Sequence, residues 1–378
     1  MKRKLAVMAV LLIAIVAVSL VLTVNWFSTN GTNEPKEFYV GIEYALKDYN
    51  LTEIASLVDK VKNYTNLFVL GSIELSFNQT DLSAACDYVA NSGLKIIVLF
   101  TSSTSYSYNI FSWITQAREK YGDMFYAVYR YDEPGGDQLS GVSNRLVNSS
   151  NSYADAAGNY TAGLKGIVDY YQNYSGRVVT ADYGLYWFDY QADYSAVFAE
   201  FVGNQSRQLH IALCRGAAQA YNRDFGVIVT WKYDQAPYIE SGAELYSDLT
   251  LAYNAGAKYA VVFSYPRLGP YGILTQDHFD ALQRFWNYAN SNWKSFGSSK
   301  GEVAYVVPKD YGFGFRGADD TIWGLFNADS LSPKIWDDTR KLESLYGSRF
   351  NIIYDDNLNY ANINKMYSKV IFWNQTVT

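Results

Sequence analysis

The stretch Phe38-Tyr-Val-Gly-Ile-Glu-Tyr44 decides the fold. It is a short apolar run rich in strand-forming residues, and it ends on Glu43-Tyr44 where a doubly wound nucleotide-binding sheet would carry a glycine-rich phosphate turn. Runs of the same kind recur, and the pattern predicts strands over 38–43, 67–72, 95–101, 125–131, 177–182, 200–202, 226–231 and 258–264. Helical patterns fill the gaps over 51–62, 82–92, 110–121, 161–171, 207–221, 243–255 and 276–290. Eight strand-helix units predict a (β/α)8 TIM barrel over 37–298, with its site at the C-terminal strand ends. The pattern then restarts over 299–378, with strands at 303–307, 351–354 and 369–373 and a helix at 333–346. That is a small α/β domain, which either packs on the barrel or begins a larger, truncated domain.

Ahead of the barrel, Lys2, Arg3 and Lys4 precede an uncharged run whose apolar part, Leu5 to Val24, is long enough to span a bilayer of roughly 30 Å. Residues 1–27 are expected to form a transmembrane helix, an uncleaved anchor or a signal, with 28–36 as a polar tether. The basic flank keeps the N-terminus inside, so the barrel is expected outside the cytoplasmic membrane, at the cell surface or, if the run is cleaved, secreted. Nine Asn-x-Ser/Thr sequons, at Asn30, Asn50, Asn63, Asn78, Asn148, Asn159, Asn173, Asn204 and Asn374, fit an N-glycosylated exterior. Cys86 and Cys214 fall in different helical segments and read as buried small apolar residues.

A net charge of -6 supplies no basic field for nucleic acid, and two cysteines with two histidines leave little for a metal site, so neither a metal nor a cofactor is expected. Aromatic residues make up 17% of the chain, including 35 tyrosines and 9 tryptophans. Flat rings with polar edges suit a sugar ligand.

Strand alternation sorts the candidate residues. On the first strand it sends Glu43 into the barrel. On the fifth, Val179 and Ala181 are expected to face outward, with Thr180 and Asp182 facing in. The seventh strand and its extension, Gly226-Val-Ile-Val-Thr-Trp-Lys-Tyr-Asp234, places Thr230, Lys232 and Asp234 on one face. The sharpest feature is Tyr129-Arg-Tyr-Asp-Glu-Pro-Gly-Gly136, after the fourth strand. A carboxyl held among aromatics keeps its proton, which suits Glu133 to protonate a departing glycosidic oxygen; the alternative for Asp132 and Glu133 is a helix-start or turn pair on a solvated loop, and Pro134, Gly135 and Gly136 would serve a plain turn equally well. Tyr183, Trp187, Trp231 and Tyr265 lie near strand ends where a sugar ring could stack, and Lys232 either neutralises Asp234 or holds a substrate oxygen. His210 and His278, on helical stretches, read as structural or exposed and not as catalytic. Asp310, Arg316, Asp320 and Trp323 form a polar-aromatic loop suited to a domain interface.

On these residues the chain resembles the (β/α)8 glycoside hydrolases, in which the acid/base glutamate commonly ends the fourth strand, the place of Glu133. The Asp132-Glu133 pair is similar to that of N-acetylhexosaminidase-type enzymes, which implies Glu133 as acid and Asp132 as the residue orienting the substrate's own acetamido group. No Asn precedes Glu133, and the seventh strand offers Trp231-Lys232-Tyr233-Asp234 in place of a glutamate. The tail resembles the flavodoxin-like domain that follows the barrel in some β-galactosidases. The expectation is therefore a surface-anchored glycoside hydrolase of extracellular or envelope polysaccharide. Its catalytic residues would be Glu133 with Asp234 or Asp132, and its substrate-binding residues Glu43, Asp182, Tyr183, Trp187, Trp231, Lys232 and Tyr265. The alternative is a noncatalytic carbohydrate-binding or structural cell-surface glycoprotein.

Because the apolar run lies outside the barrel pattern, a chain lacking residues 1–36 is expected to be soluble and folded. Aggregation of that fragment, beside a full-length chain that folds in detergent, would assign the run to the fold.

Overall fold

The computed structural model describes residues 37–356 and 360–377. Eight parallel strands, β1 (Tyr39–Tyr44), β2 (Leu67–Leu70), β3 (Lys95–Phe100), β4 (Phe125–Arg130), β5 (Val178–Asp182), β6 (Ala196–Phe201), β7 (Asp224–Val229) and β8 (Tyr259–Phe263), close in sequence order into a barrel. Closure runs through β1 and β8, with Tyr39 opposite Tyr259 and Glu43 opposite Phe263. The doubly wound open sheet is thereby excluded.

The crossover helices carry their own stop and start signals. Asn50 caps Leu51–Val61, Asn109 caps Ile110–Tyr121, and Ser241 with Glu244 forms a capping box on Gly242–Ala255. Their apolar faces bury Leu57, Val61, Trp113, Leu209 and Leu249 against the outward strand residues. Inside the barrel a separate apolar cluster holds Leu67, Val69, Ile97, Leu99, Tyr129, Val179, Ala181, Phe198, Ile228 and Val261. Its N-terminal end is plugged by tyrosines: Tyr39 stacks on Tyr259 at 5.5 Å, and the Tyr126 and Tyr259 hydroxyls lie 2.7 Å apart. The barrel interior is therefore packed from below and free only at the C-terminal mouth.

The alternation expected on β5 is inverted. Val179 and Ala181 point into the barrel, and Thr180 and Asp182 point toward the helix layer. Small apolar residues fit either side, so parity alone could not choose. The sixth strand begins at Ala196, four residues ahead of the expected start, and its whole length is buried.

The tail forms three parallel strands, β9 (Val303–Val307), β10 (Phe350–Tyr354) and β11 (Lys369–Phe372), in the order β10-β9-β11. It packs on the barrel, within one compact unit running Phe38–Thr378. Arg215, on the helix Arg207–Ala220, is the joint: it is 1% exposed. Its guanidinium donates to Asn351 Oδ1 at 2.8 Å and to the carbonyls of Ala255, Ser299, Ser348 and Phe350. Gly216 follows because a Cβ there would stand 2.2 Å from the Ile352 carbonyl oxygen. Cys86 and Cys214 are free and buried, as expected of small apolar residues.

Among the described residues no helix is long and apolar enough to cross a membrane, and the run Leu5 to Val24 lies outside them.

Arg215→Met is expected to destabilise the chain by about 3 kcal/mol or more, since each buried acceptor left unpaired costs about 1–3 kcal/mol. A guanidinium midpoint equal to that of the parent chain would show that the tail is held by its apolar contacts alone.

Candidate active site

At the C-terminal mouth a cavity of about 200 Å³ is lined by Glu43, Tyr129, Asp132, Glu133, Glu200, Val202, Ile228, Thr230, Trp231, Phe263 and Tyr265. Each acid arrives by a different route. Glu43 ends β1 and faces inward as its parity requires, 4% exposed. Its carboxyl lies over Gly71, where a Cβ would stand 2.0 Å from Oε1. Glu200 points in from β6 and is 3% exposed.

Asp132 and Glu133 follow the end of β4, where regular alternation would separate them. The chain instead turns through left-handed backbone at Tyr131 (φ 62°) and Glu133 (φ 50°), which brings both to the cavity. Such geometry is costly for residues with a Cβ and needs support from its surroundings. Here the Thr180 hydroxyl donates to the Tyr131 carbonyl, and the Glu133 amide donates to the Ala181 carbonyl at 3.0 Å. Asp182 completes the support: its carboxylate accepts from the amides of Gly135 (2.7 Å), Gly136 (2.9 Å) and Tyr183 (2.8 Å). A Cβ on Gly135 would stand 2.5 Å from Asp182 Oδ2, and one on Gly136 2.2 Å from the Tyr183 ring, so the glycine pair is what admits Asp182 and Tyr183. Behind Asp182 the buried Asp189 carboxyl accepts from the Tyr160 hydroxyl at 2.9 Å.

The helix that follows, Pro134–Ser140, is clamped from the far side by the tail. Gln138 Nε2 donates to the Trp323 carbonyl at 2.9 Å, and Arg316, paired with Asp320 at 2.7 Å, donates to the Leu139 carbonyl. The loop carrying Asp310, Arg316, Asp320 and Trp323 thus has the interface role expected of it. Trp323 itself is fully buried against Phe188 and Tyr160.

Electrostatically the cavity is a set of carboxyls short of water. Burial and the Asp132 charge raise Glu43 well above the usual carboxylate range. Glu133 is pushed up to about 7 by burial and the Asp132 charge, opposed by the neighbouring Glu200 carboxyl. Glu200 is raised further by burial and by the Glu133 and Asp132 charges. Burial therefore holds both Glu133 and Glu200 above the usual carboxylate range, each carboxyl feeling the other within the same lining. Asp132 is exposed at the rim. Protein packed around its carboxyl raises its pKa nonetheless, against the Tyr129 hydroxyl that donates to Oδ1.

Other expected residues lie elsewhere. Asp234 does not meet Glu133 across the cavity: β7 ends at Val229, the chain folds back with the Lys232 and Tyr233 amides on the Tyr238 carbonyl, and Asp234 is exposed on that loop. Lys232 pairs with Glu244 and not with Asp234. Trp187 is buried against Tyr221 and Tyr354 at the tail interface, out of reach of the cavity. Asp182 and Tyr183 support the loop from beneath and do not line the cavity; the Tyr183 hydroxyl lies 3.0 Å from that of Ser140. Trp231 and Tyr265 do line it, stacked at 22° with the indole N–H on the Tyr265 carbonyl at 2.6 Å. His210 is buried between Tyr186 and Gln205, and His278 caps the helix Gln276–Ser291, both structural. Glu200 went unnoticed because the sixth strand was placed too late for its alternation to be read. Among the described residues no group of His, Cys, Asp and Glu could hold a metal ion.

No family model and no curated protein matches this chain. Solved structures do. α-L-Fucosidase isoenzyme 2 from Paenibacillus thiaminolyticus is similar with a TM-score of 0.51 at 10% identity, over 88% of this chain and 59% of that one. β-1,4-D-Mannanase from Cryptopygus antarcticus gives 0.46 at 14% identity, over 66% and 90%. The endo-α-mannosidase of Bacteroides thetaiotaomicron gives 0.41 at 13% identity, over 65% and 80%. At such identities the likeness to the fucosidase is one of fold.

Glu133 and Asp182, each raised to about 7, hold protons in the folded chain that they release near 4.5 and 3.8 when unfolded. The folded state then binds more protons across that interval, so stability falls as pH rises from about 4 to about 7. Glu133→Gln is expected to flatten this decline in urea midpoints measured across the interval; parallel curves for variant and parent would show that Glu133 is not protonated there.

Proposed function

We propose that this chain is a glycoside hydrolase in which Glu133 is the general acid/base and Glu200 the second carboxyl. The observation that carries the reading is that Glu133 and Glu200 line one cavity at the mouth of a closed (β/α)8 barrel, beside stacked Trp231 and Tyr265. A glutamate raised to about 7 is still protonated near neutrality and can hand its proton to a leaving glycosidic oxygen. Glu200, once it has lost its own proton, faces the same space as a carboxylate.

The separation of the two groups bears on the stereochemical course. An inverting pair stands roughly 6.5–9.5 Å apart to admit a water, and a retaining pair about 5–5.5 Å. We assign Glu200 as the nucleophile of a retaining reaction because it lines the same cavity as Glu133. A second reading, assistance by a substrate acetamido group, is favoured by one observation: Asp132 lines the same cavity as Glu133. Accumulation of a glycosyl-enzyme on Glu200 with a 2-fluoro glycoside would separate the two.

The setting proposed is a cell surface, with the chain anchored by residues 1–27 and acting on extracellular or envelope polysaccharide. Support comes from the basic flank and apolar run at the N-terminus, and from the eight sequon asparagines among the described residues, all exposed and open to N-linked glycans. The tail is proposed to be flavodoxin-like; its order of second, first and third strand is how such a sheet begins.

Screening against chromogenic glycosides tests the activity. On whichever substrate is cleaved, kcat/KM is expected to fall above about pH 7, and Glu133→Gln to lower kcat roughly 100- to 10,000-fold with little change in melting temperature. Turnover like that of the parent in Glu133→Gln would move the acid role to another carboxyl.

A further inference from the structure

The cavity presents four carboxyls, Glu43, Asp132, Glu133 and Glu200, and no cationic side chain among its lining residues. The cations around it are turned to other partners. Lys232 is held by Glu244, Arg316 by Asp320, Arg130 lies over the Tyr131 and Tyr171 rings, and Lys47 sits 5.5 Å from the centre of the Tyr265 ring. Asp132 already takes the Tyr129 hydroxyl, and Glu133 and Glu200 each feel the other. Glu43 differs. It is 4% exposed, it faces the cavity, and no group among the described residues hydrogen-bonds its carboxyl. The Thr230 hydroxyl, on the same lining, is also buried without a partner. A buried carboxyl aimed into a cavity and unpaired favours a ligand that supplies a donor, because burying a carboxyl unpaired is unfavourable in either protonation state.

The shape limits what can fill it. About 200 Å³ is below the roughly 300–1,000 Å³ of sites for drug-sized ligands, so one ring enters rather than several. The wall of Trp231 and Tyr265 offers a flat apolar surface to that ring. We propose that the cavity takes one sugar residue bearing a free amine, with its ammonium seated between Glu43 and Asp132. The inference rests on the glycoside hydrolase reading of this site and names its substrate class.

An ammonium supplies three N–H donors and the positive charge that the lining lacks. Hydrogen bonds between two ionised groups are roughly twice as strong as neutral ones. When the amine binds, Glu43 releases its proton to solvent and the ammonium takes over as its counter-charge, so binding is accompanied by proton release. The groups facing Glu43 in this exchange are Asp132 and Glu133 after β4, Glu200 on β6 and the Tyr129 hydroxyl, none of them cationic. A uronic acid would add a fifth carboxylate to the cavity. An N-acetyl group would remove the charge and add bulk.

Calorimetry on the full-length chain in detergent micelles tests this with methyl glycosides of glucosamine and galactosamine, each beside its N-acetyl form, its parent hexose and its uronide. At least one amine is expected to bind about tenfold more tightly than its parent hexose and its N-acetyl form, a difference of about 1.4 kcal/mol. Its uronide should show no binding, and the heat should vary with buffer ionisation enthalpy in the sense of proton release. Glu43→Gln should bring the ratio of amine to hexose affinity within about a factor of two; the parent-chain ratios stand without this variant, should it fold poorly. A hexose, N-acetyl sugar or uronide bound as tightly as its amine overturns the proposal, as does the failure of both amines to bind. Hydrolysis of neutral glycosides that depends on Glu133, with no amine preference, would overturn the substrate class and keep the hydrolase. Amine preference without turnover of any amino glycoside would support the binding site and remove the hydrolase.

Discussion

Closure of the barrel between β1 and β8 is the constraint from which the site follows. Once Glu43 is in register with Phe263 on one side and Val69 on the other, the inward residue at the top of each strand is aimed at a common axis. Glu43, Tyr129, Glu200, Ile228 and Phe263 come from five strands, yet line one cavity. The tyrosine plug at the opposite end forces that cavity to open at the C-terminal mouth alone. An open sheet would have spread the same side chains along a surface.

Against that regular frame, the turn after β4 is the irregular part, and its irregularity has a use. A continuing strand would present either Asp132 or Glu133, not both. Left-handed backbone at Tyr131 and Glu133 presents both, at a strain of order 1–3 kcal/mol each. The support is layered: Thr180 and the Ala181 carbonyl hold the turn, Asp182 holds the next helix by its amides, and the tail holds that helix from outside through Trp323 and Arg316. The tail is therefore part of the site's framework even though none of its residues lines the cavity.

How much of this was legible in the sequence depends on what sets each feature. Strand and helix positions follow from runs of apolar residues between caps and turns, and these are local; the eight strands fall where the pattern puts them, with shifts at the ends. Glu43 was legible because Val40 and Ile42 are large and commit their side of β1. Asp182 was not, because Val179 and Ala181 are small enough for either side. Asp234 was misplaced because its alternation was carried past Val229, where the strand stops, and stopping is decided by the loop's own hydrogen bonds to Tyr238. Trp187 looked like a sugar platform because nothing in its neighbourhood reveals that a sheet some 165 residues later covers it with Tyr354. Glu200 was hidden by a misplaced strand start, although it is the one polar residue in the otherwise apolar run from Ala196 to Phe201.

Sharing one lining also limits what Glu133 and Glu200 can be at rest. Two buried carboxyls that feel each other among lining residues with no cation are held from ionising together, so the pair loses its protons in two steps that belong to the couple and not to either residue. With one proton lost, the proposed reaction needs the remaining proton on Glu133 and Glu200 ionised. Binding would then assign the acid and the carboxylate from a symmetric-looking pair. The asymmetry is already built in: Glu200 is fully enclosed on β6, whereas Glu133 stands at the partly open mouth, nearer to where a leaving group departs.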